Sequence, residues 1–289
     1  MKESFWSKTR RGFLLITRSK KACIGAVMLI LIFTVALFAK RLMPYDPTQV
    51  VSNELLADPS SAHWFGTDNF GRDLFSRILA GSQISVGIPL LVVAIALCVG
   101  IPLGLLAGFY GGIVDNIIVG VTNCLLCFPW ILTTLALATI MGGGADVVLI
   151  ALGIGFAPEL TRLVRSVTLS IREREYVDAA MVAGEKKSAI LFRYILPNTV
   201  APVVIQATLI MSKAVLEEAA ISYLGYGVQP PNASWGLLLS DYSNYIWKHP
   251  LLCIIPGLAI MFLVLAINFF GDGLRDMLDP RYKGQVNKL

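Results

Sequence analysis

Charged residues are scarce in this sequence. Of its 289 residues, 15% are Asp, Glu, Lys or Arg and 56% are hydrophobic, whereas a soluble domain usually has about 25% charged residues. The mean hydropathy is +0.70, and the apolar residues gather into long runs, which places the chain among integral membrane proteins. Because these runs are continuous and do not alternate as barrel strands do, the predicted fold class is all-α.

Groups that could perform catalysis or hold a metal are also few. The chain has two histidines, His63 and His249, far apart in sequence, and the Cys124-x-x-Cys127 pair has no second pair of zinc ligands. No GxxxxGK[ST] phosphate-binding loop is present. We therefore predict no catalytic residue, no metal site and no cofactor in this chain, and interpret the five cysteines as small packing residues. A membrane enzyme is disfavoured for the same reason.

Six apolar runs are long enough to cross a bilayer. The predicted spans lie near 22–39, 84–110, 117–141, 147–163, 200–224 and 251–270. Within the second run, Gly100, Gly104 and Gly108 have the four-residue spacing that permits close helix packing. The domain layout is a basic N-terminus at 1–21, a first transmembrane helix at 22–39, an extracytoplasmic segment at 40–83, a five-helix core at 84–270 and a tail at 271–289. The core includes a polar loop at 162–199 and a second loop at 225–249.

The distribution of Lys and Arg predicts the orientation of the chain. With the N-terminus in the cytosol, the inside segments hold eighteen of the 24 basic residues and the outside segments hold five. Basic residues favour the cytosolic side, so both termini and the loop at 162–199 are predicted to be cytosolic. This clustering in loops explains the net charge of +5 better than nucleic-acid binding does.

The cytosolic loop contains a compact polar segment, EYVDAAMVAGEKKSAILFRYILPN (175–198). We predict a helix over 174–183, ended by Gly184, and a second helix over 185–196, ended by Pro197 because proline cannot continue the backbone ladder. From periodicity alone this hairpin is either a docking surface for another protein or an amphipathic connector on the membrane surface.

Within this segment, the spacing of Asp178-Ala179-Ala180, Gly184 and Leu196-Pro197 resembles the EAA loop of ABC importer permeases, E-A-A-x3-G-x9-I-x-L-P. Asp178 stands for the Glu and Tyr194 for the Ile. Three further stretches resemble the C-type permeases of dipeptide, oligopeptide and nickel importers, and the resemblance runs from about residue 20 to 283. These stretches are HWFGTDNFGRDLFSRILAGSQIS (63–85), YLGYGVQPPNASWG (223–236) and NFFGDGLRDMLDPR (268–281).

The resemblance implies a type I ABC importer permease with six transmembrane helices in a bacterial inner membrane. It implies a heterodimer with a second permease, two ATPase subunits that bind ATP and Mg²⁺, and an extracytoplasmic solute-binding protein. The expected solute is a dipeptide or oligopeptide; the alternative is nickel or another metal-chelate complex, such as an opine metallophore. A self-contained secondary transporter is less expected, because no inverted repeat with broken helices is visible.

The resemblance also implies site residues. The ATPase-coupling residues would be Asp178, Ala179, Ala180, Gly184, Leu196 and Pro197. Within the fifth span, polar residues are costly at bilayer depth, so Gln206, Lys213, Glu217 and Glu218 are expected to line the solute pathway or its gate, or to pair at the interface with the second permease. Lys213 and Glu217 are four residues apart and could pair.

A further candidate lies outside the membrane, at Gly71, Arg72 and Asp73. It is expected to contact another protein, namely the binding protein or the second permease, or to form a lid held by its own ion pairs. In the tail, Asp272, Arg275, Asp276 and Asp279 could touch an ATPase or cap the last helix.

Overall fold

A computed structural model describes residues 19–51 and 54–278. Apart from a single bridge between Thr67 and Asp73, the regular structure of these residues is helical. The helices are α1 (Lys20–Leu42), α2 (Leu74–Tyr110), α3 (Gly112–Cys127), α4 (Trp130–Met141), α5 (Ala145–Arg172), α6 (Glu175–Val182), α7 (Lys187–Ile190), α8 (Leu196–Tyr223), α9 (Trp235–Tyr242) and α10 (Leu251–Leu278). A π-helical turn, Leu191–Ile195, joins α7 to α8, and a 3₁₀ turn, Ser243–Tyr245, follows α9.

Five helices in the described part of the chain are long and apolar enough to cross a membrane, and a bent pair can supply a sixth span. The five are α1, α2, α5, the continuous helix Lys187–Tyr223 and the apolar part of α10. The bent pair is α3 and α4, which differ in direction by 85°. The break lies at Phe128 and Pro129, where the residue before proline is extended (φ −88°, ψ 134°), as the proline ring requires.

The first two helices extend beyond the predicted apolar runs. Helix α2 begins at Leu74, so its first turns lie in the stretch predicted as an extracytoplasmic segment. Asp73 precedes this helix, and its Oδ2 accepts hydrogen bonds from the backbone N–H and the hydroxyl of Ser76 (2.8 and 2.7 Å). A carboxylate in this position satisfies an N–H that the helix itself leaves without a partner, which explains a helix start in a polar sequence.

The described residues divide into two compact units. One unit comprises the residues up to Ile88 together with those from Val215 onward. In this unit, α1 packs closely against α10: a Cβ at Gly25 would lie 2.3 Å from the backbone nitrogen of Phe270, and a Cβ at Gly273 would lie 2.5 Å from the Cα of Ala22. Only glycine permits these backbone approaches.

The second unit, residues 89–214, contains the predicted glycine strip. A Cβ at Gly104 would lie 2.7 Å from the carbonyl oxygen of Thr161, and one at Gly108 would lie 2.8 Å from that of Arg165. The prediction that this strip lets a neighbouring backbone approach is therefore confirmed, and the neighbour is α5. Asp115 of α3 and Arg165 of α5 also form a bidentate ion pair in this unit, with Nη2 and Oδ2 2.6 Å apart.

The predictions for the two termini lie mostly outside the described residues. These are the basic segment up to residue 18 and the tail from Asp279 onward. At the edge of the described part, Ser19 caps the start of α1, and Nζ of Lys21 lies 3.7 Å from Oδ2 of Asp276 near the end of α10.

Candidate functional site

The segment at 175–198, predicted to be cytosolic, begins with the short helix α6, which ends in a tight turn at Gly184. The backbone N–H of Gly184 donates to the carbonyl of Met181, and the N–H of Glu185 donates to the carbonyl of Ala180, both over 3.1 Å. This pair of bonds is the Schellman motif, which requires a left-handed residue after the helix. Gly184 meets this requirement with φ +78°.

One side of α6 is uncovered in this chain. Asp178, Ala179, Ala183 and Gly184 are exposed, and the apolar side chain of Val182 is 90% exposed. Ala180, by contrast, is buried, so Ala179, Ala180 and Ala183 do not form one exposed patch of small side chains. The exposed side therefore combines a carboxylate with small and apolar groups, which is the composition of a surface that another protein can cover closely.

The second helix of this segment does not end at Pro197, so that prediction is wrong. The chain runs as one helix from Lys187 to Tyr223. The π-helical turn Leu191–Ile195 lies immediately before the proline, and the amide side chain of Asn198 donates to the carbonyl of Tyr194 over 2.6 Å. A π turn and a side-chain donor can satisfy the backbone groups that a proline leaves without partners, so Leu196 and Pro197 continue the helix into the membrane span.

Tyr194 stands where the EAA pattern has isoleucine, and in the structure its side chain makes two specific contacts. The Tyr194 hydroxyl donates to Oε1 of Glu185 over 2.9 Å, and its ring lies 6.4 Å from that of Tyr176. The hydrogen bond joins the π turn to the residue that follows Gly184, and the ring contact with Tyr176 reaches the first helix of the hairpin. An isoleucine at position 194 could not make this hydrogen bond.

Buried apolar side chains hold this hairpin on the rest of its unit. Val177, Ile190 and Ile195 are all nearly fully buried.

Two cavities lie beside the hairpin. One, of about 530 Å³, is lined by Ser166, Val167, Ser170, Ile171, Arg174, Tyr176 and Asn198. The other, of about 310 Å³, is lined by Phe109, Tyr110, Arg172, Met181, Glu185, Lys187 and Ile190.

Two of the predicted pathway residues meet at Glu159, a residue that the sequence analysis did not single out. Oε1 of Glu159, on α5, accepts a hydrogen bond from Nζ of Lys213 (2.8 Å) and one from Nε2 of Gln206 (3.0 Å). The pairing suggested by sequence spacing was with Glu217, but the ion pair of Lys213 is with α5. A carboxylate inside an apolar run was the signal that could have identified Glu159.

The other two predicted pathway residues lie in the packed interior of the first unit. Glu217 is nearly buried and Glu218 has no exposed surface. Oε1 of Glu218 accepts from the Ser222 hydroxyl (2.8 Å), and Oε2 from the Ser85 hydroxyl (3.4 Å). The Ser85 oxygen in turn accepts from the backbone N–H of Trp235 (3.0 Å). Glu218 therefore joins α2, α8 and the start of α9.

The predicted contact residues Gly71, Arg72 and Asp73 form part of a folded cluster on the predicted extracytoplasmic side. Gly71 is a turn residue with φ +74°. Nε of Arg72 donates to Oδ2 of Asp68 over 2.7 Å, and Asp73 is fully buried, with Oδ1 3.0 Å from Nδ1 of His63. These contacts fold the segment on itself, and they leave the Asp73 side chain no surface to offer another protein.

Arg77 and Tyr242 extend the same cluster. Arg77 is fully buried; its Nε donates to the Tyr242 hydroxyl over 3.2 Å, and its Nη1 donates to the carbonyl of Pro47 over 3.2 Å. Burial raises the pKa of Tyr242 far above its ordinary value, so its hydroxyl keeps its proton and donates to Oδ2 of Asp68 (3.1 Å). The pKa of Asp241 is also raised, because the effect of burial exceeds the opposing effect of the positive charge on nearby Arg77.

The described side chains include no candidate metal site. In residues 19–51 and 54–278, no three His, Cys, Asp or Glu side chains are grouped so that they could hold an ion. The cysteines in this range are free thiols.

Comparison with protein-family models finds two matches. Residues 100–284 match the family described as "Binding-protein-dependent transport system inner membrane component". Residues 4–59 match the N-terminal transmembrane domain of oligopeptide transport permease C. The first match covers more than half of the chain and includes the hairpin at 175–198.

Similar curated proteins cover nearly the whole chain. A dipeptide transport system permease protein, DppC, of Alkalihalophilus pseudofirmus is 41% identical over 96% of this chain and 91% of its own length. A glutathione transport system permease protein, GsiD, of Pectobacterium atrosepticum is 39% identical over 96% and 92%. A probable D,D-dipeptide transport system permease protein, DdpC, of Escherichia coli is 38% identical over 90% and 88%.

Among solved structures, a chain of the MetNI methionine ABC transporter in an inward-facing conformation has a similar fold. The TM-score is 0.58, with 20% sequence identity over 70% of this chain and 97% of that chain. At this identity the similarity concerns the fold alone, which is that of an ABC importer permease.

Proposed function

This chain belongs to the family of binding-protein-dependent transport system inner membrane components, and from that premise we propose that it is the permease subunit of an ATP-driven importer for dipeptides and oligopeptides. Permeases of this family are inner-membrane subunits without an ATPase site of their own. The solute class is supported by relatives named for dipeptide and glutathione transport, which align with this chain over almost its full length.

Membership of the family implies ATPase and solute-binding partners. We further propose that the chain pairs with a second, homologous permease, and that two ATPase subunits, which bind ATP and Mg²⁺, dock on the cytosolic side. The solute-binding protein would deliver its ligand on the opposite side. Transport would proceed by alternating access, since the two access states must differ in how they bind the ATPases if ATP is to drive the change.

The observation that carries the coupling role is the uncovered surface of α6. It presents Asp178 and Ala179 beside the highly exposed Val182 and ends at the turn of Gly184. We propose that this surface seats in an ATPase subunit. The second half of the hairpin continues through Leu196 and Pro197 into a membrane span, so a displacement of the docked hairpin reaches that span without an intervening flexible loop.

The pathway assignment is supported by Gln206 and Lys213, which meet at Glu159 on the exposed surface of two membrane-spanning helices. Glu217 and Glu218 are better explained as structural groups, because the interior of the first unit encloses them. We propose the same for Arg72 and Asp73: the ion pair of Arg72 with Asp68 and the contact of Asp73 with His63 fold the predicted extracytoplasmic segment on itself.

Reconstitution tests this function directly. The chain is co-expressed with a second permease and the ATPases, purified, and placed in proteoliposomes with the solute-binding protein outside. We expect uptake of a labelled dipeptide that requires ATP and each partner. Transport by this chain alone, without ATPases, would contradict the proposal.

A further inference from the structure

Glu159 and Lys213 form an ion pair on the surface of this chain within two membrane-spanning helices. Nζ of Lys213 is 2.8 Å from Oε1 of Glu159, and the two side chains are 51% and 36% exposed. Both hydrogen bonds to this carboxylate, from Lys213 and from Gln206, end on the same oxygen, Oε1. The ammonium group can donate three hydrogen bonds and the carboxylate can accept about four, so each group retains capacity for a further ligand.

The hydrocarbon of the bilayer is an unfavourable surrounding for this pair of charged side chains. Charged side chains at bilayer depth are costly when they face hydrocarbon, and they usually face water or a protein partner. Glu159 lies well inside α5 and Lys213 well inside α8, within helices identified as spans. A half-exposed pair of opposite charges at this depth therefore faces either an aqueous path or another protein.

We propose that Glu159 and Lys213 are specificity-determining residues that select solutes by net charge as they pass through the membrane. This inference rests on the proposed function, since it assigns a role within the same solute pathway. The class of ligand is a small zwitterion, with an ammonium group for Glu159 and a carboxylate for Lys213.

The chemistry of exchange supports a zwitterion over an ion of one sign. A zwitterionic solute can open the pair and give each side chain a new partner of opposite charge. A solute with one extra charge is attracted by one member of the pair and repelled by the other, so the intact pair favours neither sign. Removal of one member leaves a single charge in the path, which then favours solutes of the opposite sign.

The test is uptake of three dipeptides by the complete reconstituted complex at subsaturating concentration. Ala-Ala, Ala-Asp and Ala-Lys have free termini and carry net charges of about 0, −1 and +1 at pH 7. For each solute, the rate of a variant is divided by the rate of the unaltered complex, which cancels the preference of the binding protein. The variants are Glu159→Gln, Lys213→Gln and the charge exchange E159K/K213E, with Asp146→Asn, an exposed carboxylate at the start of α5, as the matched control.

The expected shifts have opposite signs. Glu159→Gln should raise the ratio of Ala-Asp to Ala-Lys uptake by about fivefold, and Lys213→Gln should lower it by about fivefold, the factor that about 1 kcal/mol gives for a half-exposed pair. The charge exchange restores a pair and should return the ratio to within about twofold of the original. Asp146→Asn should leave the ratio unchanged.

Two results would overturn the inference while the proposed function stands. One is an equal loss of all three uptakes in both single variants, which would indicate an ion pair that only holds the protein together. The other is no change in the ratio for either variant. If the unaltered complex imports none of the three dipeptides despite ATP hydrolysis, the peptide assignment fails, and this inference fails with it.

Discussion

The hydroxyl of Tyr194 donates a 2.9 Å hydrogen bond to Oε1 of Glu185, the residue that follows the turn at Gly184. The bond connects the residue just after the first helix of the hairpin with the π turn that leads into the membrane. Because the backbone N–H of Glu185 also donates to the carbonyl of Ala180 in α6, a force applied to α6 would reach α8 more directly when the Tyr194 bond is present.

We therefore expect Tyr194→Phe to weaken coupling without preventing assembly. Removal of one hydrogen bond should reduce peptide uptake per ATP hydrolysed by about threefold. Tyr176→Phe, which removes a phenol hydroxyl from the same surface, should have little effect and serves as the control. The readout is the ratio of dipeptide uptake to phosphate release in proteoliposomes, and an unchanged ratio in Tyr194→Phe would show that the bond has no part in coupling.

Charge reversal at Asp178 tests the docking surface itself. Asp178→Lys should leave insertion and folding intact, because the side chain is exposed, but it should abolish uptake and reduce the amount of ATPase that co-purifies. Glu173→Lys reverses an exposed carboxylate at the end of α5 and should have a much smaller effect. Normal solute-stimulated ATP hydrolysis in the Asp178→Lys complex would refute the coupling assignment.

Two glycine-to-alanine substitutions test the packing of α2 on α5. A Cβ at Gly104 would lie 2.5 Å from the Cβ of Val164, so Gly104→Ala should destabilise the fold by about 1–3 kcal/mol through overpacking. A Cβ at Gly155 meets nothing within 4 Å, so Gly155→Ala should be neutral or stabilise by about 0.5–1 kcal/mol. Thermal unfolding in detergent measures both, and equal Tm values for the two variants would contradict the packing described.

Glu218 is expected to matter for stability more than for transport. Glu218→Leu removes the acceptor of the Ser222 hydroxyl and leaves a buried donor without a partner, at a cost of about 1–3 kcal/mol. Glu218→Gln keeps an acceptor oxygen of the same shape and should cost less. Differential scanning fluorimetry of the purified complex compares the two; a Gln variant that unfolds as early as the Leu variant would show that an acceptor oxygen at this position does not stabilise the fold.

Arg77 should be the most sensitive residue of the cluster around Asp68. Arg77→Met removes one of the two guanidinium partners of Asp68 and the bond to Tyr242, so the loss of stability should reach at most the cost of breaking a buried charge pair, about 3–5 kcal/mol. Arg41→Met, at the exposed end of α1, should change stability by less than about 0.5 kcal/mol. Tm values of both variants decide the matter, and a small effect of Arg77→Met would mean that Arg72 alone is a sufficient partner for Asp68.

Much of the fold could be predicted from the sequence because a bilayer imposes simple rules. Long apolar runs indicate spans, and Gly104 and Gly184 have functions that only glycine performs at those positions. The start of α2 could not be read from hydropathy, since its polar residues are satisfied by distant groups: Arg77 by the carbonyl of Pro47, and Gln83 by the carbonyl of Ala36.

The candidate site was harder to predict than the fold. The turn at Gly184 follows from local chemistry, whereas the partner of Lys213 depends on which residue of α5 lies opposite, and spacing along one helix does not determine this. Pro197 was misjudged for a related reason. A proline need not end a helix when the backbone around it adapts, and here a π turn precedes it and the Asn198 side chain donates to the carbonyl of Tyr194.

The π turn Leu191–Ile195 also separates two parts of one helix whose sequences can vary independently. It adds one residue to the local repeat, and one residue of an α-helix corresponds to about 100° of rotation and 1.5 Å of rise. The helical phase of α7 therefore does not extend into α8. The part of the helix before the turn can keep Ile190 buried, while the part after it sets its own inward and outward faces. Mutations on either side of the turn therefore need not compensate for one another.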